Sequence, residues 1–149
     1  MTALAICAGV APAAFAGAAA NSGSAYIRLE YRRAMEIAVV GAAAAVTLAS
    51  DGSVASVRVA LTAVAPTIVE VSGLTAGSID DVAAAARALA AQQATPISDV
   101  RASDTYRRHT VGVMAERAVR IAAQRAAGAT IPCPANRAVG IGATSGANA

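Results

Sequence analysis

The hydrophobic pattern of the chain passes from strand-like runs to helical spacing near Ser78. Between Glu36 and Ala65, two apolar runs flank Asp51-Gly52, a dipeptide that supplies the positive φ of a tight hairpin turn. The second run, with Val54, Val57, Val59, Leu61 and Val64, is rich in β-branched residues, so the pattern predicts an antiparallel hairpin. Its first arm carries Ala42–Ala45, residues that favour helix by propensity, and is the less strongly supported strand. After Pro66 a short run, Thr67–Val71, offers a third strand before Gly73 and Gly77 interrupt it.

Ser78-Ile79-Asp80-Asp81 has the form of a capping box, with Ser78 accepting from first-turn amides and Asp81 reaching back, and it opens a predicted helix through about Gln93. Pro96 closes that segment. Ser103 or Asp104 caps a longer helix to about Ala127, where Gly128 stops it. Tyr106, Thr110, Val113, Met114, Arg117, Ala118, Ile121 and Ala122 fall on one broad face of this helix. Arg117 interrupts the apolar stripe and makes that end a candidate contact surface. A hairpin followed by helices is an α+β arrangement.

The two ends read differently. Ala13–Gly23 is alanine, glycine, serine and asparagine, the composition of a linker, so structure is expected from about Ser24. Residues 129–149 return to glycine, alanine, asparagine and proline and are expected to be disordered. The resulting division is a disordered or remnant segment at 1–22, one domain at 23–128 and a tail at 129–149. Residues 3–20 are apolar, but no positive charge precedes them as in a secretory signal, and they are too weak and proline-interrupted to span a membrane.

Composition limits the function classes. Of 149 residues 56% are hydrophobic, but most of these are alanine, with no tryptophan, a single phenylalanine (Phe15) and tyrosines at 26, 31 and 106, so packing supplies modest stability. The twelve basic residues are all arginine and are interspersed with nine acids at a net charge of +3, unlike the clustered basic face of a nucleic-acid binder. Cys7 and Cys133, in the two end segments, form neither a disulfide framework nor a metal spacing, and a reducing, cytoplasmic compartment is the default. No nucleophile, base and acid set assembles around the single histidine, His109, which lies in the long helix. Gly140-Ile141-Gly142-Ala143 lacks the third glycine and the strand-to-helix context of a phosphate loop.

Two segments carry more arginine, acid and tyrosine than a plain surface needs: Gly23–Gly41 and Thr95–Arg108. With Arg58–Thr67 between them they give Tyr-x-Arg-x-x-x-Arg-Arg-x-x-x-Ile-Ala, Ala-Leu-x-x-Val-Ala-Pro-Thr and Ile-Ser-Asp-x-Arg-x-Ser-x-x-Tyr-Arg-Arg, in that order. Jointly these blocks resemble the C-terminal domain of the FAD-binding medium subunit of the molybdenum hydroxylases, the group of carbon monoxide dehydrogenase and xanthine dehydrogenase. The resemblance runs from about Ser22 to about Gly128. Upstream, Leu4, Ile6, Val10 and Pro12 look like the remnant of an apolar strand that precedes the domain in the family.

The resemblance implies an antiparallel sheet built on a hairpin with helices on one face. It also implies partners: an N-terminal domain whose glycine-rich and serine-rich loops hold FAD, a molybdenum-binding large subunit and an iron–sulfur small subunit. In the family a lysine or arginine at the position of Arg28 lies near the isoalloxazine, where a cation stabilises negative charge on the reduced flavin. Arg28 is therefore the candidate cofactor contact, set against the plainer reading of an arginine salt-bridged beside Glu30. Arg32, Arg33 and Glu36 form either a junction ion-pair group or a solvated strand edge. Asp99, Arg101 and Tyr106 read as loop and cap residues rather than as chemistry.

The implied function is that of a domain, not catalytic alone, that shields FAD while electrons pass from molybdenum and iron–sulfur centres to an acceptor. With the phosphate-gripping domain elsewhere, FAD binding by this chain alone is expected to be weak or absent. The alternatives are a cofactor-free interaction module and a truncated product without function.

Overall fold

The computed structural model describes residues 20–32 and 35–132. Arg33, the end segments with both cysteines and the Gly140–Ala143 motif lie outside the described residues. The elements are β1 (Ser22–Leu29), β2 (Val40–Leu48), β3 (Val54–Thr62), β4 (Val69–Glu70), α1 (Ile79–Gln93) and α2 (Asp104–Ala126). The strands make one four-stranded antiparallel sheet in chain order.

Local chemistry starts and stops these elements. Gly52 turns the β2–β3 hairpin at φ +82°, while Asp51 accepts hydrogen bonds from the Ser53 amide at 2.9 Å and its hydroxyl at 2.7 Å. The Ser78 hydroxyl accepts the Asp81 amide at 3.2 Å and donates to the Asp81 carboxylate at 2.6 Å, so the box closes on a side-chain pair. Ser103, not Asp104, is the N-cap of α2, accepting the Tyr106 amide at 3.2 Å, and Gly128 leaves the helix at φ +93°.

Alternation along the strands separates two faces. Ala25 and Ile27 of β1, Ala42, Ala44 and Val46 of β2, and Val59 and Leu61 of β3 point to one side and are buried. On that side α2 packs across β1 and β2, and α1 packs against α2. Because α2 is covered by sheet on one side and helix on the other, Val111, Ala115, Val119 and Ala123 are buried as well as Thr110, Met114, Ala118, Ile121 and Ala122 of the expected stripe, whereas Tyr106 at its start is exposed and Val113 and Arg117 are only partly covered.

Three departures from the sequence reading have steric or bonding causes. β1 begins at Ser22, inside the stretch expected to be linker, since Gly23 is a packing glycine: a Cβ there would lie 2.3 Å from the Ala122 carbonyl oxygen and 2.5 Å from the Ala126 nitrogen. The alanines of β2 form an inner strand despite their helical preference, because both edges are paired and the small side chains of Ala42 and Ala44 let α2 approach. The expected strand Thr67–Val71 is reduced to Val69–Glu70, since the chain turns at Ala63 (φ +60°) and Pro66 has no amide to donate.

The topology gives the molecule two ends. At one lie the hairpin turn, the start of β1, the start of α1 and the end of α2, with Gly77 bridged to Val54 and Gly23 against Ala126. There Arg125 reaches the carbonyls of Ser24, Ile131 and Pro132, which holds 131–132, residues expected to be tail, against the domain. At the other end lie the β1–β2, β3–β4 and α1–α2 connections, tied by the Thr95 amide donating to the Val64 carbonyl at 2.9 Å.

Candidate functional site

Among the described residues, the second face of the sheet carries no helix. Registers place Arg28, Gly41 and Thr62 in one row across it, Tyr26, Ala43, Ala60 and Glu70 in the next, and Ser24, Ala45 and Arg58 in a third. In its centre this floor is glycine and alanine, with longer side chains at its margins. Tyr26 leans diagonally over Gly41, its hydroxyl 3.4 Å from Thr62 Oγ1, and a Cβ on Gly41 would come within 2.7 Å of that hydroxyl. At the β3–β4 margin Arg58 and Glu70 pair at 2.8 Å, which holds the Glu70 carboxyl below its ordinary range.

Arg28 stands on this face one residue before the end of β1, with its side chain 39% exposed. Its Nε lies 2.6 Å from Glu30 Oε2. The contact is an ion pair by distance but lacks hydrogen-bond geometry, so Oε2 is a buried carboxylate oxygen without a hydrogen bond. The salt-bridged arrangement read as the plainer alternative is thus present, and Arg28 is half-exposed on the open face at the same time.

Beyond Leu29 the connection to β2 joins a second cluster. Arg32 pairs with Glu36 at 3.2 Å and donates to the Met35 carbonyl at 2.8 Å, which braces a residue at φ +51°. The Tyr31 hydroxyl donates to the Arg101 carbonyl. Asp99 accepts from the Arg101 amide at 2.8 Å, the Ala102 amide at 3.1 Å and an Arg107 terminal nitrogen at 2.7 Å. The Arg107 hydrogen bond, followed by the backbone amides, lowers the Asp99 carboxyl to about 2. Asp99 and Arg101 therefore fix a loop, as read from the sequence, while Tyr106 and His109 are exposed on α2.

Arg107 was not singled out in the sequence. It is 4% exposed and joins three segments, donating to the Val39 carbonyl at 2.5 Å, to the Ala63 carbonyl at 3.3 Å and to Asp99. Its position one turn before Val111, on the buried side of α2, is the signal that marks it. Arg108 similarly ties the end of α1 by donating to the Ala94 carbonyl. Arg28 and the Asp99–Arg107 cluster thus lie at the same end of the sheet, linked by Tyr31 and Val39, but Arg107 is locked into structure whereas Arg28 faces outward.

No group of three or more histidine, cysteine or acidic side chains able to hold a metal occurs among the described residues. Among them no helix is long and apolar enough to cross a membrane.

A family model for the CO dehydrogenase flavoprotein C-terminal domain matches residues 25–122. Reconstituted CO dehydrogenase from Oligotropha carboxidovorans is similar at 32% identity and TM-score 0.64, over 70% of this chain and 38% of the other. Carbon monoxide dehydrogenase from Hydrogenophaga pseudoflava, lacking the Mo-pyranopterin moiety of the molybdenum cofactor, gives 31% identity and TM-score 0.63, over 72% and 38%. Quinoline 2-oxidoreductase from Pseudomonas putida 86 gives 25% identity and TM-score 0.65, over 70% and 38%. No curated protein matches the chain. The match therefore spans well under half the length of these solved chains, and by the family model and the shared hairpin sheet with its two helices, this chain belongs to the CO dehydrogenase flavoprotein C-terminal domain family.

Proposed function

We propose that this domain forms one wall of an FAD site in a molybdenum-hydroxylase flavoprotein, shielding the flavin ring while electrons pass from molybdenum and iron–sulfur centres to an acceptor. The observation that carries the reading is the sheet face that no helix covers among the described residues, with Arg28 at its margin. Ala43, Ala45 and Ala60 make a floor low enough for a planar ring, Tyr26 borders it where it covers Gly41, and Arg28 offers a cation at the edge.

The fit extends to the ring and not to the phosphates. A pyrophosphate is commonly taken by a helix N-terminus, yet α1 carries Asp80 and Asp81 in its first turn and α2 carries Asp104. Those charges oppose an anion at either helix start. Holding the phosphates accordingly falls to a separate N-terminal FAD-binding domain, and a molybdenum-binding large subunit and an iron–sulfur small subunit complete a cytoplasmic assembly. Bound FAD supplies the redox chemistry. This chain's part is to exclude water across the alanine floor and to place the Arg28 guanidinium where negative charge develops. Glu30 Oε2 lies 2.6 Å from Arg28 Nε, beside that guanidinium.

The test is flavin fluorescence in two stages. FAD titrated into the purified chain at low micromolar concentration gives no saturable quenching, because burial of a ring without its phosphates leaves little affinity after association costs. Adding the chain to a separately purified N-terminal FAD domain of a CO dehydrogenase flavoprotein, loaded with FAD, quenches the flavin saturably. Arg28→Ala weakens that effect about tenfold. If the loaded domain's fluorescence is unchanged by the chain, this reading fails and a cofactor-free interaction module takes its place.

A further inference from the structure

The residues that fix the place of Arg28 come from α2, behind the sheet, and from the α1–α2 connection. Its ion-pair partner Glu30 lies between two residues that are each tied elsewhere. On one side the Leu29 carbonyl accepts the Val39 amide at 2.8 Å. On the other the Tyr31 hydroxyl donates to the Arg101 carbonyl. Both ties lead to Asp99. The Val39 carbonyl accepts from Arg107 at 2.5 Å, Arg107 donates to Asp99 at 2.7 Å, and Asp99 accepts the Arg101 amide at 2.8 Å.

The Arg107 guanidinium also frames the row in which Arg28 sits, with Gly41 and Thr62 beside it. Arg107 holds the carbonyl of Val39, before Gly41 in the chain, and at 3.3 Å that of Ala63, directly after Thr62. Through Val39 it reaches Leu29, directly after Arg28. One side chain, 4% exposed, thus fixes the end of β1, the start of β2 and the end of β3 relative to one another. A buried cation is a costly way to hold loops, and its best-attested use is to select one arrangement over others.

We infer that Asp99 and Arg107, with Tyr31, are positioning residues for Arg28, holding its guanidinium at one place over the open face; the inference rests on the reading of that face as a flavin wall. The segment Thr95–Arg108, dense in arginine and acid, thereby gains a role that capping alone does not give it. Stabilisation of a developing charge depends on a group already in place, so a loosened Arg28 loses part of its effect while its charge is unchanged. That loss is bounded by the about tenfold effect of removing Arg28 altogether.

The experiment is a double-mutant cycle in the titration of the full 149-residue chain into the FAD-loaded N-terminal domain, read by flavin fluorescence. Tyr31→Phe and Asp99→Asn each raise the half-saturating concentration about three- to tenfold. In the Arg28→Ala background neither raises it further, because the group they position is gone. Ala88→Glu, on the exposed side of α1, leaves it unchanged in either background. A second readout needs no flavin: the NMR resonance of the Arg28 Nε–H group in the free chain, assigned by its absence in Arg28→Ala, shifts in both variants and not in Ala88→Glu. Circular dichroism confirms folding of each variant. Tyr31→Phe deletes one hydroxyl from an exposed side chain and carries the test if Asp99→Asn does not fold. Equal weakening in both backgrounds makes these residues structural only and overturns the inference. An unmoved Arg28 resonance overturns it equally. A parent chain that leaves the flavin unquenched sinks the flavin-wall reading instead, and the resonance then decides the positioning link by itself.

Discussion

Arg107 offers the sharpest test of how the end of the sheet is held. Replacing it with Met keeps the volume and the apolar stem but removes every donor. The Val39 carbonyl, in a residue with no exposed surface, then loses its 2.5 Å partner, and Asp99 loses its 2.7 Å one. An acceptor left unpaired in the interior costs about 1–3 kcal/mol, and a hydrogen bond from a charged donor is worth about 1.5–3 kcal/mol. The Ala63 carbonyl belongs to an exposed residue and regains water, and removal of the unpaired, buried Nε of Arg107 gives some energy back. The net loss comes to about 2–4 kcal/mol, a large share of the ~5–15 kcal/mol total of an ordinary domain. Urea denaturation followed by circular dichroism reads this as a lower midpoint with little change in slope, and heating as a fall of roughly 10–25 °C. Arg107→Lys recovers part of the loss, because one ammonium reaches a carbonyl or the carboxylate but does not fork between them. If Arg107→Met lies within about 0.5 kcal/mol of the parent, the clamp is not what holds these loops.

Acid titration tests the same clamp from its other side. The Asp99 carboxyl is lowered to about 2 by Arg107 and two amides, so its stabilisation is full above the ordinary carboxylate range near 4 and is lost as pH falls toward 2. Asp99→Asn flattens stability in that window, and NMR titration of Asp99 in Arg107→Met finds its pKa moved up toward ordinary values. An unchanged pKa in that variant would contradict the assignment of Arg107 as the first cause. The glycines give a steric contrast: Gly23→Ala drives a Cβ to 2.3 Å from the backbone of α2 and destabilises by more than about 2 kcal/mol, with no flexible side chain able to yield. Gly52→Ala meets no atom within 4 Å and costs only the ~1–2 kcal/mol of a positive φ, measured by the same urea midpoints.

What the sequence by itself determined were the features that depend on near neighbours. Asp51-Gly52 turns the hairpin, Ser78 and Ser103 start the helices and Gly128 ends one, since each of these bonds is made within a few residues and shows as a residue type at a fixed offset. Tertiary structure alone decided whether Gly23 is linker or contact, because its meaning lies in a helix about a hundred residues later. It decided that Ala42–Ala45 form an inner strand, because pairing on both sides outweighs a weak intrinsic preference. It made Arg107 a clamp between three separate segments. Such features are sums over distant parts of the chain, and no local spacing in a sequence encodes which distant parts will meet.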